Sequence, residues 1–361
     1  MLAKSKIYLI FVVLAGLCWG TYIPMVAQGG KELKSSYASF LCVGVAYFLI
    51  AILLPVAILW ARGKMPNWSA GGITFATLAG VAGALGALCV VLAVFEFNGP
   101  RIFVAPVIFA LAPVINTLVS LFWHPDAGAL AFGLPRERPH WTLYVGIVCA
   151  GSGAGLALLA KELTEAVHAK PPEAAANPVY LAFVILAGLC WGTYVPMIAQ
   201  GGKQLKSSYA SFLCVGVAYF VIAILFPIGV FVFKGFPSFN TTGATLATLA
   251  GTAGAVGALC VIFATFEFQG PKIYVAPVIF ALAPVIATLV SLFWHPATGK
   301  DALIFALPDE PPHWTLYIGI VLAGAGAGLV LFAKELTESR HAPAKSAAAP
   351  MPVPAVEPAQ Q

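Results

Sequence analysis

The stretch AGLCWGTYIPMVAQGGKELKSSYASFLCVGVAYF, residues 15–48, returns at residues 187–220 as AGLCWGTYVPMIAQGGKQLKSSYASFLCVGVAYF. Three of the 34 positions differ between the copies, at Ile23, Val26 and Glu32. A second segment, FVAPVIFALAPVINTLVSLFWHP at residues 103–125, returns at residues 274–296 as YVAPVIFALAPVIATLVSLFWHP. One unit of roughly 170 residues is therefore written twice, and a repeat of this kind determines the architecture.

The composition indicates a membrane protein. Of the 361 residues, 60% are hydrophobic and 9% are charged, and the mean hydropathy is +0.93. Soluble domains carry about 25% charged residues, so we interpret the chain as an integral membrane protein whose surroundings are a lipid bilayer. The net charge of +5 is small and unclustered, which argues against a nucleic-acid partner.

The sequence contains no motif of hydrolytic or ATP-driven chemistry. HExxH, GxSxG and a Walker loop are all missing, so we expect neither an enzyme nor an ATP-driven pump. The seven cysteines lie inside apolar runs without a CxxC pair or a nearby histidine, which is typical of small buried hydrophobic residues. We therefore expect no metal and no cofactor.

Ten apolar runs are long enough to cross a hydrocarbon core, which takes about 20 residues. The second unit repeats the five runs of the first. The predicted spans are Ile7–Gln28, Ala38–Ala61, Gly71–Phe95, Ile102–Trp123, Trp141–Ala160, Val179–Gln200, Ala210–Phe233, Gly243–Phe266, Ile273–Trp294 and Trp314–Ala333. The sequence thus predicts an all-α membrane protein with ten transmembrane helices.

The odd number of spans in each unit determines how the second unit enters the membrane. If all five cross, the second unit starts from the opposite side, and the two units form an inverted five-helix repeat, as in many transporters. If one run is re-entrant, each unit has four crossings and the repeat is parallel. Twelve of the 19 Lys and Arg residues fall on the side that carries both termini, which favours cytoplasmic termini.

The repeat also determines the predicted domain boundaries. Residues 1–164 form the first five-helix unit and residues 179–338 form the second. Residues 165–178 are the only polar stretch between the units, and we interpret them as a linker. Residues 339–361 are rich in Ala and Pro with little bulky apolar content, which is typical of a disordered tail.

The segment WGTYxP places aromatic and hydroxyl groups in the middle of the first span of each unit. Proline there leaves a backbone carbonyl without its donor, which lipid tolerates only where protein or a water-filled cavity satisfies it. We therefore predict that these residues line a substrate cavity. The alternative is that the aromatic side chains only pack against neighbouring helices. An interfacial aromatic belt is disfavoured, because the segment lies far from the ends of the span. The predicted substrate-binding residues are Trp19, Thr21, Tyr22, Trp191, Thr193 and Tyr194, and the helix-breaking prolines are Pro24 and Pro196.

The fourth span carries two prolines seven residues apart in each unit, about two helical turns along one face. They predict a bent helix with backbone openings that line the same cavity. These helix-breaking prolines are Pro106, Pro113, Pro277 and Pro284, and the polar candidates for substrate contact are Asn116, Thr117 and Thr288. The copies differ where Asn116 is matched by Ala287, so we predict a ligand contact for Asn116 or, alternatively, a hydrogen bond between helices.

Two acidic residues, Glu96 and Glu267, end the third span of each unit. An ionisable group at membrane depth is a functional hypothesis by default, and proton coupling is that hypothesis here. Each glutamate also lies five residues before a cation, Arg101 or Lys272, so the alternative is a group at the membrane interface. In the fifth span, the spacing of Gly151 and Gly155 predicts close helix packing, as does that of Gly324 and Gly328.

Ten spans in two units of five, with VAPVIFALAPVI in the fourth span of each, resemble the drug/metabolite transporter superfamily and its EamA-like ten-helix carriers. The opening GLCWGTYxP is similar to the start of the glucose/ribose sugar porters within that superfamily. The resemblance implies a ten-helix inverted repeat, cytoplasmic termini, a central cavity and alternating access. It does not choose among the amino acids, sugars, nucleotides, nucleotide sugars and cationic drugs that the superfamily carries.

We therefore predict a secondary carrier in a bacterial inner membrane that moves a small polar metabolite without ATP. A sugar is favoured because the predicted lining is aromatic and hydroxylated but nearly uncharged. A drug or metabolite exporter is one alternative, and a non-transporting scaffold or sensor is another. A second copy of the chain, in a homodimer, is a candidate partner.

Overall fold

A computed structural model describes residues 7–63, 65–97, 99, 101–125, 131–134, 138–166, 177–294 and 313–347. These residues form ten helices, and Trp123 and Phe132 form an isolated β-bridge. The helices are α1 Tyr8–Leu33, α2 Ser36–Arg62, α3 Ala70–Glu96, α4 Arg101–Phe122, α5 Thr142–Ala166, α6 Tyr180–Leu205, α7 Ser208–Lys234, α8 Thr241–Glu267, α9 Lys272–Phe293 and α10 Thr315–Ala347. The all-α prediction is therefore confirmed.

Eight of the helices in the described residues are long and apolar enough to cross a membrane. They include α1, α2, α3, α6, α7 and α8 in full, together with Lys272–Val290 of α9 and Thr315–Ala333 of α10. The qualifying apolar parts of α4 and α5 are shorter, Leu111–Phe122 and Thr142–Ala157. The chain is thus an integral membrane protein, and ten crossings remain a prediction.

The turn between the first two helices of each unit follows from its sequence, KSS. Lys34 ends α1 in the left-handed conformation with φ of 50°, and the Ser35 hydroxyl then accepts a hydrogen bond from the Ala38 amide at 3.2 Å. A serine in this position satisfies one of the free amide groups at a helix start. Lys206 and Ser207 make the same turn in the second unit, with φ of 51° at Lys206. Each pair of helices is therefore joined without a flexible loop.

The second helix of each unit widens into a π-helical segment, Phe48–Leu53 in α2 and Phe220–Leu225 in α7. A proline follows each segment, and a proline has no amide hydrogen to donate to the carbonyl four residues earlier. For Pro55 that carbonyl belongs to Ala51, and a π-helical turn inserts an extra residue at this point. The apolar pattern of these helices does not predict the π-helical segments.

Glycines of the opposite unit pack against the two π-helical segments. A Cβ atom added at Gly216 would lie 2.5 Å from the Ala51 carbonyl oxygen, and one at Gly44 would lie 2.5 Å from that of Ala223. Helices α2 and α7 therefore contact each other at two places, where the backbone of a glycine in one helix meets a backbone carbonyl of the other. Such an approach allows weak Cα–H···O contacts to carbonyls that have lost their usual donor.

The prolines predicted to break helices do not interrupt them, so this prediction is wrong. Helix α1 continues through Pro24, α6 continues through Pro196, and α9 continues through Pro277 and Pro284. Helix α4 likewise runs through positions 106 and 113. The reason is that a proline inside a helix removes one hydrogen bond, and a helix that is packed on several neighbours retains its other bonds.

Helices of each unit pack mainly on helices of the other unit. Helix α1 packs mainly on α8 and α9 of the second unit, and α6 packs mainly on α3 and α4 of the first. Helices α2 and α7 pack on each other, as do α5 and α10. The largest cluster of buried hydrophobic residues accordingly draws on both units.

Several contacts join the start of a helix in one unit to the end of its counterpart in the other. The Lys234 ammonium lies 5.9 Å from the centre of the Tyr37 ring, and the Arg62 guanidinium lies 4.8 Å from that of Tyr209. Lys272 lies 5.7 Å from the Trp123 ring in the same way. These pairs connect α2 with α7 and α4 with α9.

Close packing of α5 on α10 uses Gly153 and Gly319, which were not among the predicted glycines. A Cβ atom at Gly153 would lie 2.2 Å from the Ala323 amide nitrogen, and one at Gly319 would lie 2.4 Å from that of Ala157. Within the described part of the chain, no atom lies within 4 Å of a Cβ at Gly155, Gly324 or Gly328. The packing face is therefore shifted from the predicted one, because the sequence does not show which side of a glycine-rich helix meets its neighbour.

This difference gives a matched pair of substitutions on α5. We expect Gly153→Ala to lower the free energy of unfolding by about 1–2 kcal/mol, because the added methyl group collides with the α10 backbone. Gly155→Ala meets open space and should instead raise stability by up to about 1 kcal/mol through helix propensity. Thermal unfolding of the two variants in detergent measures both effects, and equal shifts would contradict the packing described here.

The boundaries of the units agree only in part with the predicted ones. Helix α5 ends at Ala166, just inside the predicted linker 165–178, of which residues 167–176 lie outside the described residues. Helix α10 extends to Ala347, past the predicted start of the disordered tail at residue 339. Residues 348–361 also lie outside the described residues.

Candidate functional site

A cavity lies where the two units meet, at the middle of the helices that line it. Seven aromatic side chains from the two units surround it, together with small residues that leave the space open. Its lining is Trp19, Tyr22, Tyr47, Gly83, Ala87, Phe109, Trp191, Tyr194, Tyr219, Gly254 and Ala258. No charged side chain is among these lining residues. All of these positions except Phe109 form corresponding pairs in the two repeats.

Each WGTYxP tryptophan connects its own unit to the other. The Trp19 indole nitrogen donates a hydrogen bond to the Gly254 carbonyl at 3.3 Å, and Trp191 donates to the Gly83 carbonyl at 3.3 Å. Two other glycines, Gly257 and Gly86, let the indoles approach, since added Cβ atoms there would lie 2.5 Å from Trp19 and 2.3 Å from Trp191. The N–H groups of both indoles therefore already donate hydrogen bonds, and the indoles offer the cavity only the surface of their rings.

The glycine of the same motif brings the next helix close. A Cβ atom at Gly20 would lie 2.5 Å from the Ile286 Cβ, and one at Gly192 would lie 2.6 Å from the Ile115 Cβ. The motif thus directs its tryptophan towards α8 or α3 and its glycine towards α9 or α4. This local pattern explains why Trp and Gly are adjacent in both copies.

Two tyrosine hydroxyl groups in the lining are available to a ligand. Among the described residues, the hydroxyls of Tyr22 and Tyr194 are buried and have no hydrogen-bond partner. An unpaired buried polar group costs about 1–3 kcal/mol. A ligand or a water molecule that accepts a hydrogen bond in the cavity would therefore be stabilised by these two groups.

The rings of Tyr47 and Tyr219 stack on each other across the two units. Their centroids are 3.6 Å apart and their planes differ by 2°. Neither residue was predicted from the sequence. The available signal was a tyrosine deep inside a long apolar run, SYASFLCVGVAY, in both copies.

The cavity is small in this conformation. Its volume of about 40 Å³ is room for about three water molecules, each of which needs roughly 10–15 Å³. A metabolite the size of a sugar does not fit. Binding of such a molecule therefore requires the units to move apart.

The structure brings four of the predicted site residues together and leaves the threonines out. Trp19, Tyr22, Trp191 and Tyr194 line the cavity. The Thr21 hydroxyl instead donates to the carbonyls of its own helix, to Leu17 at 3.1 Å and to Cys18 at 3.0 Å. The Thr193 hydroxyl bonds Leu189 and Cys190, the Thr117 hydroxyl bonds Pro113, and the Thr288 hydroxyl bonds Pro284. These four threonines satisfy helix carbonyls, and none of them lines the cavity.

Asn116 lies away from the cavity lining. It is fully buried, and among the described residues neither its amide nitrogen nor its amide oxygen has a hydrogen-bond partner. Ser120, one turn further along α4, has a buried hydroxyl that also has no hydrogen-bond partner among the described residues. The alternative prediction, a hydrogen bond between helices, is therefore not met among these residues either.

The burial of Asn116 leads to a stability prediction. We expect Asn116→Ala to leave the melting temperature unchanged or to raise it, because the substitution removes a buried amide whose desolvation costs about 1–3 kcal/mol. The reciprocal change, Ala287→Asn, should lower it, since Ala287 is also buried. Thermal unfolding tests both variants, and a clear loss of stability in Asn116→Ala would show that the amide makes a bond in the folded protein.

Glu96 and Glu267 lie at the ends of α3 and α8, outside the cavity, and both are exposed. The Ser36 hydroxyl donates a hydrogen bond to Glu96, and the Ser208 hydroxyl donates to Glu267 at 2.6 Å. These bonds fasten the end of the third helix of each unit to the start of the second. In this conformation neither carboxylate can contact a ligand in the cavity.

No protein family and no curated protein matches the chain. Among solved structures, one described only as "Crystal structure of protein" is similar to it with a TM-score of 0.55. The similarity covers 91% of this chain and 97% of that chain at 16% sequence identity. This likeness shows a shared fold over nearly the whole of both chains, and it carries no information about activity.

Proposed function

We propose that the protein is a secondary transporter that moves a small polar metabolite across the membrane by alternating access of its two units. The observation that carries the proposal is the cavity between the units. It lies at mid-helix depth, both units line it, and two of its hydroxyl groups have no partner among the described residues. Transporter sites are typically found at such a place, near the bilayer midplane and at the interface of the repeats.

The proposed arrangement of the units is an inverted repeat with ten crossings. It is supported by the contacts of Tyr37 with Lys234 and of Tyr209 with Arg62, which join helix starts to the ends of their counterparts. The His140 amide also donates to the Thr337 hydroxyl at 3.1 Å, which joins the start of α5 to the end of α10. Corresponding helices that run in opposite directions are what inversion requires. Cytoplasmic termini and a bacterial inner membrane belong to the same proposal.

The proposed substrate class is a neutral polar metabolite, with a sugar favoured. No charged side chain lines the cavity, so a carboxylate or a strongly cationic substrate would lack a countercharge. Aromatic faces and free tyrosine hydroxyls suit a molecule with apolar faces and hydroxyl groups at its edge. The resemblance of GLCWGTYxP to sugar porters points in the same direction.

Export of a lipophilic or cationic drug is the second candidate. The observation that favours it is the aromatic character of the lining, because seven aromatic side chains offer a large apolar surface. Aromatic faces also attract organic cations. A lipophilic cation would give the hydroxyls of Tyr22 and Tyr194 no hydrogen-bond acceptor, and we therefore place this candidate second.

Counterflow in proteoliposomes tests the proposal. We expect uptake of a labelled monosaccharide by the wild type and at least a tenfold loss of uptake in the double variant Tyr22→Phe with Tyr194→Phe, since both hydroxyl donors are removed. Tyr144→Phe is the matched control, because Tyr144 is 47% exposed on α5. Uptake of lipophilic cations in place of sugars would favour the exporter, and no uptake of any compound would favour a non-transporting protein.

A further inference from the structure

We infer that Tyr47 and Tyr219 are the stacking clamp of the carrier, between whose faces a neutral single-ring sugar inserts while Tyr22 and Tyr194 bind its edge. This inference rests on the proposed function and narrows its substrate class. It assigns a binding role to two residues that are not among the candidates predicted from the sequence.

The stacked pair has a ring geometry that aromatic side chains do not prefer, and a hydrogen bond between the Tyr47 and Tyr219 hydroxyls accompanies it. Aromatic rings prefer offset or edge-to-face geometries with centroids roughly 4.5–7 Å apart, because their negative faces repel. Tyr47 and Tyr219 instead lie face to face at 3.6 Å with almost parallel planes. A guest with slightly positive C–H groups on both faces would replace this contact by two favourable ones.

The geometry also limits the thickness of the guest. Van der Waals contact between carbon atoms requires about 3.5–4.0 Å, so one ring between two others separates them by about 7 Å. The pair would have to open from its present 3.6 Å to roughly this distance. One ring in its flat orientation fits such a gap, whereas two linked rings need further movement.

The free hydroxyl groups decide between a sugar and an organic cation. Tyr22 and Tyr194 line the same cavity as the stacked pair, and their buried hydroxyls have no partner among the described residues. A sugar ring carries hydroxyl groups around its edge that can accept hydrogen bonds from both tyrosines. A quaternary ammonium ion has no such group and would leave them unpaired.

The position of the clamp links binding to movement of the units. Tyr47 belongs to the first unit and Tyr219 to the second, so a ring inserted between them pushes the units apart. Each tyrosine directly precedes a π-helical segment, Phe48–Leu53 or Phe220–Leu225. Such segments often occur at functional sites, and here they place a locally irregular backbone next to the clamp.

Equilibrium binding to the purified protein in detergent tests the inference. The ligands are a panel of labelled monosaccharides, the disaccharide maltose, the open-chain polyol sorbitol, and tetramethylammonium. We expect a monosaccharide to bind the wild type at least tenfold more tightly than maltose or sorbitol. Tyr47→Met and Tyr219→Met, which remove an aromatic face at similar length, should each weaken that binding at least tenfold.

Conservative variants separate stacking from folding defects. Tyr47→Phe and Tyr219→Phe keep the ring and should bind the same monosaccharide within about threefold of the wild type, whether or not the Met variants fold. Tyr144→Met on α5 is the control for loss of a tyrosine outside the cavity. Each variant is first checked for a single peak in size-exclusion chromatography.

The possible outcomes distinguish the inference from the proposed function. If a monosaccharide binds and Tyr47→Met leaves its affinity unchanged or improves it, the two rings merely fill space; the inference fails and the sugar carrier remains. Loss of affinity in both Phe variants also overturns stacking as the main contact. Tetramethylammonium binding that does not respond to Tyr22→Phe overturns the substrate class. If the wild type binds none of the ligands, the proposed sugar carrier fails together with the inference.

Discussion

Gly44→Leu should destabilise the protein by about 3 kcal/mol or more, because it drives a large side chain into the backbone of the opposite unit. A Cβ at Gly44 would already lie 2.5 Å from the Ala223 carbonyl oxygen. Backbone cannot rotate away as a flexible side chain could, so the π-helical segment of α7 would have to move. We also expect transport to be lost, since the crossing of α2 and α7 adjoins the cavity.

The measurement is the melting temperature in detergent together with the fraction of protein that remains monodisperse. Gly216→Leu should have the same effect, because its Cβ would lie 2.5 Å from the Ala51 carbonyl oxygen. Gly229→Leu is the matched control, since no atom of the residues that the structure describes lies within 4 Å of a Cβ at that position. A melting temperature of Gly44→Leu equal to that of Gly229→Leu would contradict the crossing described here.

Trp19→Ala is expected to have the second largest effect, on both stability and transport. Replacing a large aromatic side chain in a packed interior costs about 3–5 kcal/mol, and Trp19 contacts the rings of Tyr194 and Phe280 with centroids 6.1 Å and 5.8 Å away. The bond from its indole to the Gly254 carbonyl is lost as well. Because Trp19 is only partly buried, we expect a value near the lower end, about 3 kcal/mol.

Trp191→Ala should behave like Trp19→Ala, because Trp191 makes the corresponding bond to Gly83. Trp141→Ala serves as the control, since Trp141 is 64% exposed and lies outside the cavity lining. Thermal unfolding and counterflow on the same preparations separate loss of fold from loss of transport. If both cavity variants unfold like Trp141→Ala and transport normally, these indoles are dispensable and the cavity is not the site.

The sequence located the cavity better than it identified the groups that face it. Duplication of WGTYxP and its distance from the span ends were enough to place Trp19 and Tyr22 in the lining. Thr21 lies between them, but a helical threonine can bond the carbonyls three and four residues earlier, and here it does. Whether a hydroxyl points inward or back along its helix depends on the neighbouring helices, which a single sequence does not specify.

The same limit explains the residues that were missed. Tyr47 lies in the apolar run of α2, and only the crossing with α7 brings it against Tyr219. Asn116 was predicted at the site because it differs from Ala287, yet a difference between copies does not reveal which way a side chain points. Sequence rules treat one helix at a time and therefore predict breaks at the prolines, whereas packing on several neighbours keeps these helices continuous.

The small volume of the cavity also affects the electrical insulation of the membrane. Crossing a hydrocarbon core of about 30 Å by hydrogen-bonded water takes about ten molecules at roughly 2.8 Å spacing. A cavity of about 40 Å³ holds about three of them, so this space alone cannot form a continuous water wire. In this conformation the cavity by itself therefore gives protons and ions no aqueous path across the hydrocarbon core.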